Sequence, residues 1–282
     1  MPTLAVPSRY TDLAPVIVTS PTARCGTTLV QRLLSASDNG FIYGEEIGHQ
    51  IRTVTVWLFG LLQQYERDGR GIDEDFARAL AGVLADWRPG LTAPTAVMQR
   101  AWVETFYQLP FTLADYSRSI GRPVWGFKTP GFTRDMLRTL LSLMPKARVI
   151  YVFRDLHDVL KSAKARRFVV GDESVAQLCA DWARNIREVA ELDQDQRVLF
   201  LKYEDLVGRR GDYVRLLELF TGAANIAPGV FDLKINTYAG QDAHGHSPSQ
   251  YIAPAELTDK DRAAVIAQGG EVMEHFYGSK AA

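Results

Sequence analysis

Short apolar runs alternate with longer amphipathic stretches along most of this chain. "PVIVTS" (15–20), "PVWGFKTP" (123–130), "ARVIYVFR" (147–154) and the start of "RVLFLKYEDL" (197–206) are brief, rich in β-branched and aromatic residues, and read as buried strands. "GFIY" (40–43) reads as a further short strand. Between them, "TTLVQRLLSAS", "RDMLRTLLSLMP", "DLHDVLKSAKARR" and "SVAQLCADWARNIREVAEL" carry apolar residues at helical spacing. Strands alternating with helices predict an α/β fold built on a mainly parallel sheet covered on both faces.

Two blocks break the rhythm. Residues from about 46 to 122 are mostly helical in pattern, with breaks expected near 69–71 and at "RPGLTAP", and form a helical insertion after the second strand. Within it "TVTVWLFGLL" (53–62) is the longest apolar run and fits a buried helix. Residues from about 223 to 254 are loop-rich, and 259–277 read as a final helix. No linker or repeat divides the chain, so 1–282 is expected to be one domain.

Composition narrows the classes. The chain has 46% hydrophobic and 23% charged residues and a net charge of −1, so bulk charge gives no reason to expect a nucleic acid or an acidic membrane as partner. Two cysteines, Cys25 and Cys179, without a CxxC pair argue against a disulfide framework or a cysteine zinc site. His244 and His246 have no evident third metal ligand. No apolar run reaches the roughly 18 residues of a membrane span, and no signal-peptide pattern opens the chain, so a cytoplasmic protein is expected.

The chemistry concentrates at strand ends. "VTSPTARCGTTLV" takes a strand into a helix through a turn, a glycine and two threonines, the layout of a phosphate-binding P-loop. Gly26 allows close backbone approach, and Thr27 and Thr28 add hydroxyls. The lysine that normally precedes the hydroxyl residue is missing, and the nearby cation is Arg24, ahead of the glycine. On these residues alone the segment also fits a tight turn with a helix cap. A second strand end carries Arg154, with Ser162 eight residues later, about two helical turns away. In open parallel sheets ligands sit at such ends. Asp155 is placed to cap the helix, and Lys164–Arg167 read as a solvated basic helix end.

Together "TARCGTT" and "FRDLHDVLKS" resemble the two nucleotide motifs of sulfotransferases that use 3′-phosphoadenosine 5′-phosphosulfate. The resemblance runs from about residue 15 to 222. It is similar in motif order to tyrosylprotein sulfotransferases and their bacterial relatives, through "RCGTTL", "YGEEIGHQIR", "FKTP", "RDLHDVLKS" and the tryptophan of "LCADWARNI". It implies a P-loop-type sheet flanked by helices. It also implies that Arg24, Cys25, Gly26, Thr27 and Thr28 hold the 5′-phosphosulfate side, that Arg154 and Ser162 hold the 3′-phosphate, and that Tyr203 lies near the nucleotide. Cys25 stands where that family has serine. Arg52 matches the second of two acceptor-binding arginines, and Gly48 stands in place of the first.

On this reading Arg24 and Lys128 replace the missing lysine and a metal, and no metal is expected. Glu46 is the expected general base and His49, one helical turn on, the second choice. Read from the residues alone, Glu45 and Glu46 simply begin a helix, where carboxylates are favoured. Trp57, Trp102, Phe106 and Tyr107 fall in the insertion and read as core or as acceptor pocket. The expected acceptor is a hydroxyl compound, a small molecule rather than a peptide tyrosine, although a peptide stays open. A P-loop nucleotide kinase and a non-catalytic nucleotide-binding module are the alternatives.

Overall fold

The computed structural model describes residues 6–85, 91–233 and 253–278. Five parallel strands form one sheet in the order β2-β3-β1-β4-β5: β1 Val16–Thr19, β2 Gly40–Tyr43, β3 Val124–Lys128, β4 Arg148–Phe153 and β5 Val198–Lys202. Each predicted apolar run is a strand. Ile17, Val149 and Tyr151 point into one apolar cluster, and Val16, Val18, Ile150 and Val152 into another. This is the period-2 alternation of a sheet covered on both faces. Fully buried side chains such as Ile17 and Ile150 each contribute about 1.5–3 kcal/mol.

Helix α1 (Thr27–Ser35) covers the second cluster, with α7 (Tyr203–Gly208) and α8 (Arg210–Thr221). The first cluster lies under α2 (Glu45–Leu80), α3 (Thr95–Ser119), α4 (Arg134–Leu143), α5 (Leu156–Ala165), α6 (Asp172–Val189) and α9 (Asp259–Tyr277). Helix α9 occupies the predicted range and opens with a capping box between Thr258 and Asp261. Asp155 caps α5 as expected, its carboxylate accepting from the Asp158 N–H at 3.2 Å.

The insertion departs from expectation in one respect. Helix α2 runs unbroken for 36 residues through the glycines at 69 and 71. Glycine costs a helix about 1 kcal/mol, an amount tertiary packing overrides. At Gly69 the two helices meet closely: Thr95 Oγ1 donates to the Gly69 carbonyl at 3.0 Å, and a Cβ on Gly69 would lie 2.9 Å from that oxygen. The 53–62 run is helical but only half buried, with Thr55, Leu58 and Leu62 inside and Val56 and Trp57 exposed. Phe106 and Tyr107 are core residues, 1% exposed, whereas Trp57 and Trp102 pack edge to face at 4.9 Å.

Candidate active site

The strand ends of β1, β3, β4 and β5 converge on one cleft. Its walls include Arg24, Gly26, Thr27, Thr28, Glu45, Arg154, Phe168 and Tyr203. The loop after β1 is braced from below: Ser20 Oγ donates to the Thr22 carbonyl at 2.7 Å and Asn185 Nδ2 donates to the Pro21 carbonyl at 2.7 Å. Arg24 and Gly26 both take left-handed backbone, φ 75° and 102°. Among the described residues no side chain caps α1, and while the Leu29 N–H donates to the Gly26 carbonyl at 3.0 Å, Thr27 and Thr28 line the cleft at the helix N-terminus, an arrangement suited to an anion. Cys25 turns inward and is fully buried, and burial pushes its thiol up to about 11, so it contributes backbone rather than thiolate.

Gly26 is dictated by what lies above it. A Cβ there would sit 2.3 Å from Cδ2 of Tyr203. Gly26→Ala therefore combines a clash with strain at positive φ, about 2 kcal/mol. A fall in Tm of roughly 4–8 °C is expected, using the scaling for domains of this size. An unchanged melting curve would show that the Tyr203 ring does not pack on the loop.

Basic groups gather opposite. Arg24 Nε donates to Ser162 Oγ at 3.0 Å, joining the β1 loop to α5. The Arg154 guanidinium lies 4.6 Å from the Tyr203 ring centroid, and its Nη2 reaches Asp158 Oδ2 at 3.5 Å. Arg154 Nε is buried and has no hydrogen-bond partner among the described residues. A buried donor on a cation is costly while it lacks a partner, and the cleft that Arg154 lines is where an anion would be drawn. Burial first, then the charges of Arg166 and Arg154, pull the Arg24 guanidinium down to about 10. Arg166 thus belongs to the same electrostatic cluster, not to a solvated helix end. Its signal in the sequence is the spacing from Ser162, four residues and so one helix face.

The two adjacent glutamates at the start of α2 have different neighbours. Lys128 is buried at the end of β3; its ammonium donates to Glu45 Oε1 and, at 3.4 Å, to Thr28 Oγ1. Glu45, rather than Glu46, lines the cleft. Glu46 is exposed, and its Oε1 accepts from Gln50 Nε2 at 3.3 Å. His49 and Arg52 are exposed on α2. Gly48 is buried against β3, where a Cβ would lie 2.6 Å from Cβ of Thr129, so α2 can approach Lys128 only with glycine there. His244 and His246 lie outside the described residues. Among the described residues no helix is long and apolar enough to span a membrane, and no cluster of three metal-ligating side chains occurs.

The fold and this cleft define an α/β protein of the phosphate-loop class. Residues 15–224 match the profile of the sulfotransferase family, and the chain belongs to that family. Its fold is similar to the sulfotransferase domain of the Synechococcus PCC 7002 olefin synthase. That likeness has a TM-score of 0.51 at 17% identity and covers 93% of this chain and 97% of that one. It is also similar to the sulfotransferase domain of the curacin biosynthetic pathway, with TM-score 0.51 at 15% identity over 90% and 96% of the two chains. No curated protein matches the sequence significantly.

Proposed function

We propose that this sulfotransferase uses 3′-phosphoadenosine 5′-phosphosulfate as donor and a small-molecule hydroxyl as acceptor. The observation that carries the donor is the buried, unpartnered Arg154 Nε in a cleft shared with Arg24, Ser162 and the uncapped end of α1. These residues fit a nucleotide with anionic groups at two ends. Arg154, Ser162 and Arg166 serve the 3′-phosphate, and Tyr203 carries the Arg154 guanidinium on its ring. Loop N–H groups with Thr27 and Thr28 serve the 5′ side.

The donor supplies an activated sulfuryl group whose leaving phosphate gains charge during transfer. Such transfers rest on positioning and fixed charge. Lys128 and Arg24 provide that charge without reorganisation, both being anchored by the contacts above. Glu45 is the base in this reading, taking the acceptor proton as the oxygen bonds to sulfur, because its carboxylate lies in the cleft on Lys128 while that of Glu46 contacts Gln50. The packing of Gly48 on Thr129 leaves no room for a cationic side chain at that position, which favours a small acceptor over an acidic peptide.

Calorimetric titration with 3′-phosphoadenosine 5′-phosphate in the presence of EDTA tests the donor. Micromolar or tighter binding is expected. Absence of binding, or binding that needs magnesium, would overturn the reading in favour of a nucleotide kinase.

A further inference from the structure

The turn that presents Arg154 is held in an unusual way. Three of its backbone polar groups are each taken by a side chain from a different helix. The Arg154 carbonyl accepts from Trp182 Nε1 on α6 at 3.1 Å. The Asp155 N–H donates to Glu204 Oε1 on α7 at 3.0 Å. The Leu156 N–H donates to the sulfur of Met273 on α9 at 3.4 Å. Strand pairing sets up the middle contact: Phe153 lies opposite Lys202, so Arg154 comes to face Tyr203 and Asp155 to face Glu204.

Glu204 does more than accept one N–H. Its second oxygen accepts from Tyr277 Oη at 3.2 Å, near the end of the last helix. Tyr277 is fixed in turn by Lys202, whose ammonium lies 4.0 Å from the Tyr277 ring centroid and donates to the Phe276 carbonyl at 3.3 Å. A carboxylate on the residue next to the ring that carries the arginine is electrostatically adverse to an anionic ligand. Its place there makes sense if it acts through the backbone it holds. Burial, with the carboxylates of Glu204 and Asp155 next, pushes the Tyr277 phenol far above its ordinary range, so it stays a donor to Glu204.

We infer that Glu204 is a positioning residue for the nucleotide's 3′-phosphate, bridging the Arg154–Leu156 turn to the C-terminal helix so that docking of α9 sets the aim of Arg154. The inference rests on the donor reading above. Displacing Asp155 by a few tenths of an ångström swings the guanidinium at the end of a long side chain by more, and a bidentate phosphate contact tolerates little misalignment. Ligands without a 3′-phosphate make no use of that aim.

The test compares 3′-phosphoadenosine 5′-phosphate with adenosine 5′-phosphate by calorimetry on wild type, Glu204→Ala, Glu204→Gln and Tyr277→Phe. Glu204→Ala is expected to weaken the first ligand roughly tenfold or more, the loss of a charge-assisted hydrogen bond, and the second less than about twofold. Glu204→Gln keeps an oxygen for the Asp155 N–H and restores most of the affinity. Tyr277→Phe removes only the far anchor, leaves the turn's contacts in place, and gives an intermediate loss confined to the first ligand. In an Arg154→Ala background Glu204→Ala adds no further loss. Equal losses for both nucleotides, or no loss in either Glu204→Ala or Tyr277→Phe, overturn the inference. If Glu204→Ala does not fold, Tyr277→Phe alone decides it. Wild type that binds neither nucleotide overturns the donor reading itself, a result distinct from wild-type binding that the variants leave untouched.

Discussion

Arg154→Ala is expected to weaken binding of 3′-phosphoadenosine 5′-phosphate about 100-fold while leaving the melting temperature of the free protein unchanged or slightly raised. Two effects combine. The variant removes a guanidinium whose Nε has no other acceptor among the described residues, so the phosphate loses a charge-assisted contact worth about 3 kcal/mol. It also relieves repulsion, because Arg154 is one of the charges that lower the Arg24 pKa. Stability and affinity therefore move in opposite directions, which a general folding defect would not produce. Paired calorimetry and thermal unfolding read both. A large drop in Tm with affinity intact would show that Arg154 is a structural residue stacked on Tyr203 and no more.

Glu45→Ala is expected to reduce kcat by roughly 10²–10⁴, the range for removing a general base, with nucleotide affinity equal to wild type or a few-fold tighter. The second half follows from charge. Glu45 occupies Lys128 in a cleft meant for anions, and its removal leaves the ammonium to the ligand. Glu46→Ala, one residue along, is expected to cost less than about threefold, its carboxylate being on the exposed side. Single-turnover transfer to an accepted hydroxyl compound, with separate nucleotide titration, distinguishes the two. Loss of activity in Glu46→Ala with Glu45→Ala active would return the base to Glu46. Full transfer activity in both would show that neither carboxylate is the base, whereas no transfer by wild type with nucleotide bound would favour a binding module without chemistry.

The difference between those two glutamates shows where sequence reading stops. The strands were legible because each is a short apolar run bounded by turn residues, and the strand–loop–helix turn after β1 because a glycine and two threonines close a short loop into α1. Asp155 and Thr258 were legible as caps because capping is local. Adjacent residues on a helix differ by about 100° of rotation, and nothing local states which of Glu45 and Glu46 reaches Lys128. The close approach of Gly48 to Thr129 that brings α2 to this strand end is a tertiary contact. The unbroken α2 is the same lesson in stability: two glycines read as a break until α3 lies against the first of them. Arg166 was assigned to solvent because its helix end is basic, and only the reach of Arg24 across to Ser162 brings it into the cluster. The partners of Glu204 were illegible for a plainer reason, since Tyr277 lies 73 residues away.

The pairing of Phe153 with Lys202 makes β4 and β5 a ruler for the cleft. Arg154 and Tyr203 meet because they are the first residues past two strands that end in register, and Asp155 and Glu204 meet one step on. A deletion or insertion of a single residue in either strand would shift every one of these partnerships at once, however conservative the side chains. Substitutions in the sheet interior can drift while bulk is kept. Strand length cannot: a changed residue count in β4 or β5 is expected to break these contacts where a conservative substitution is not.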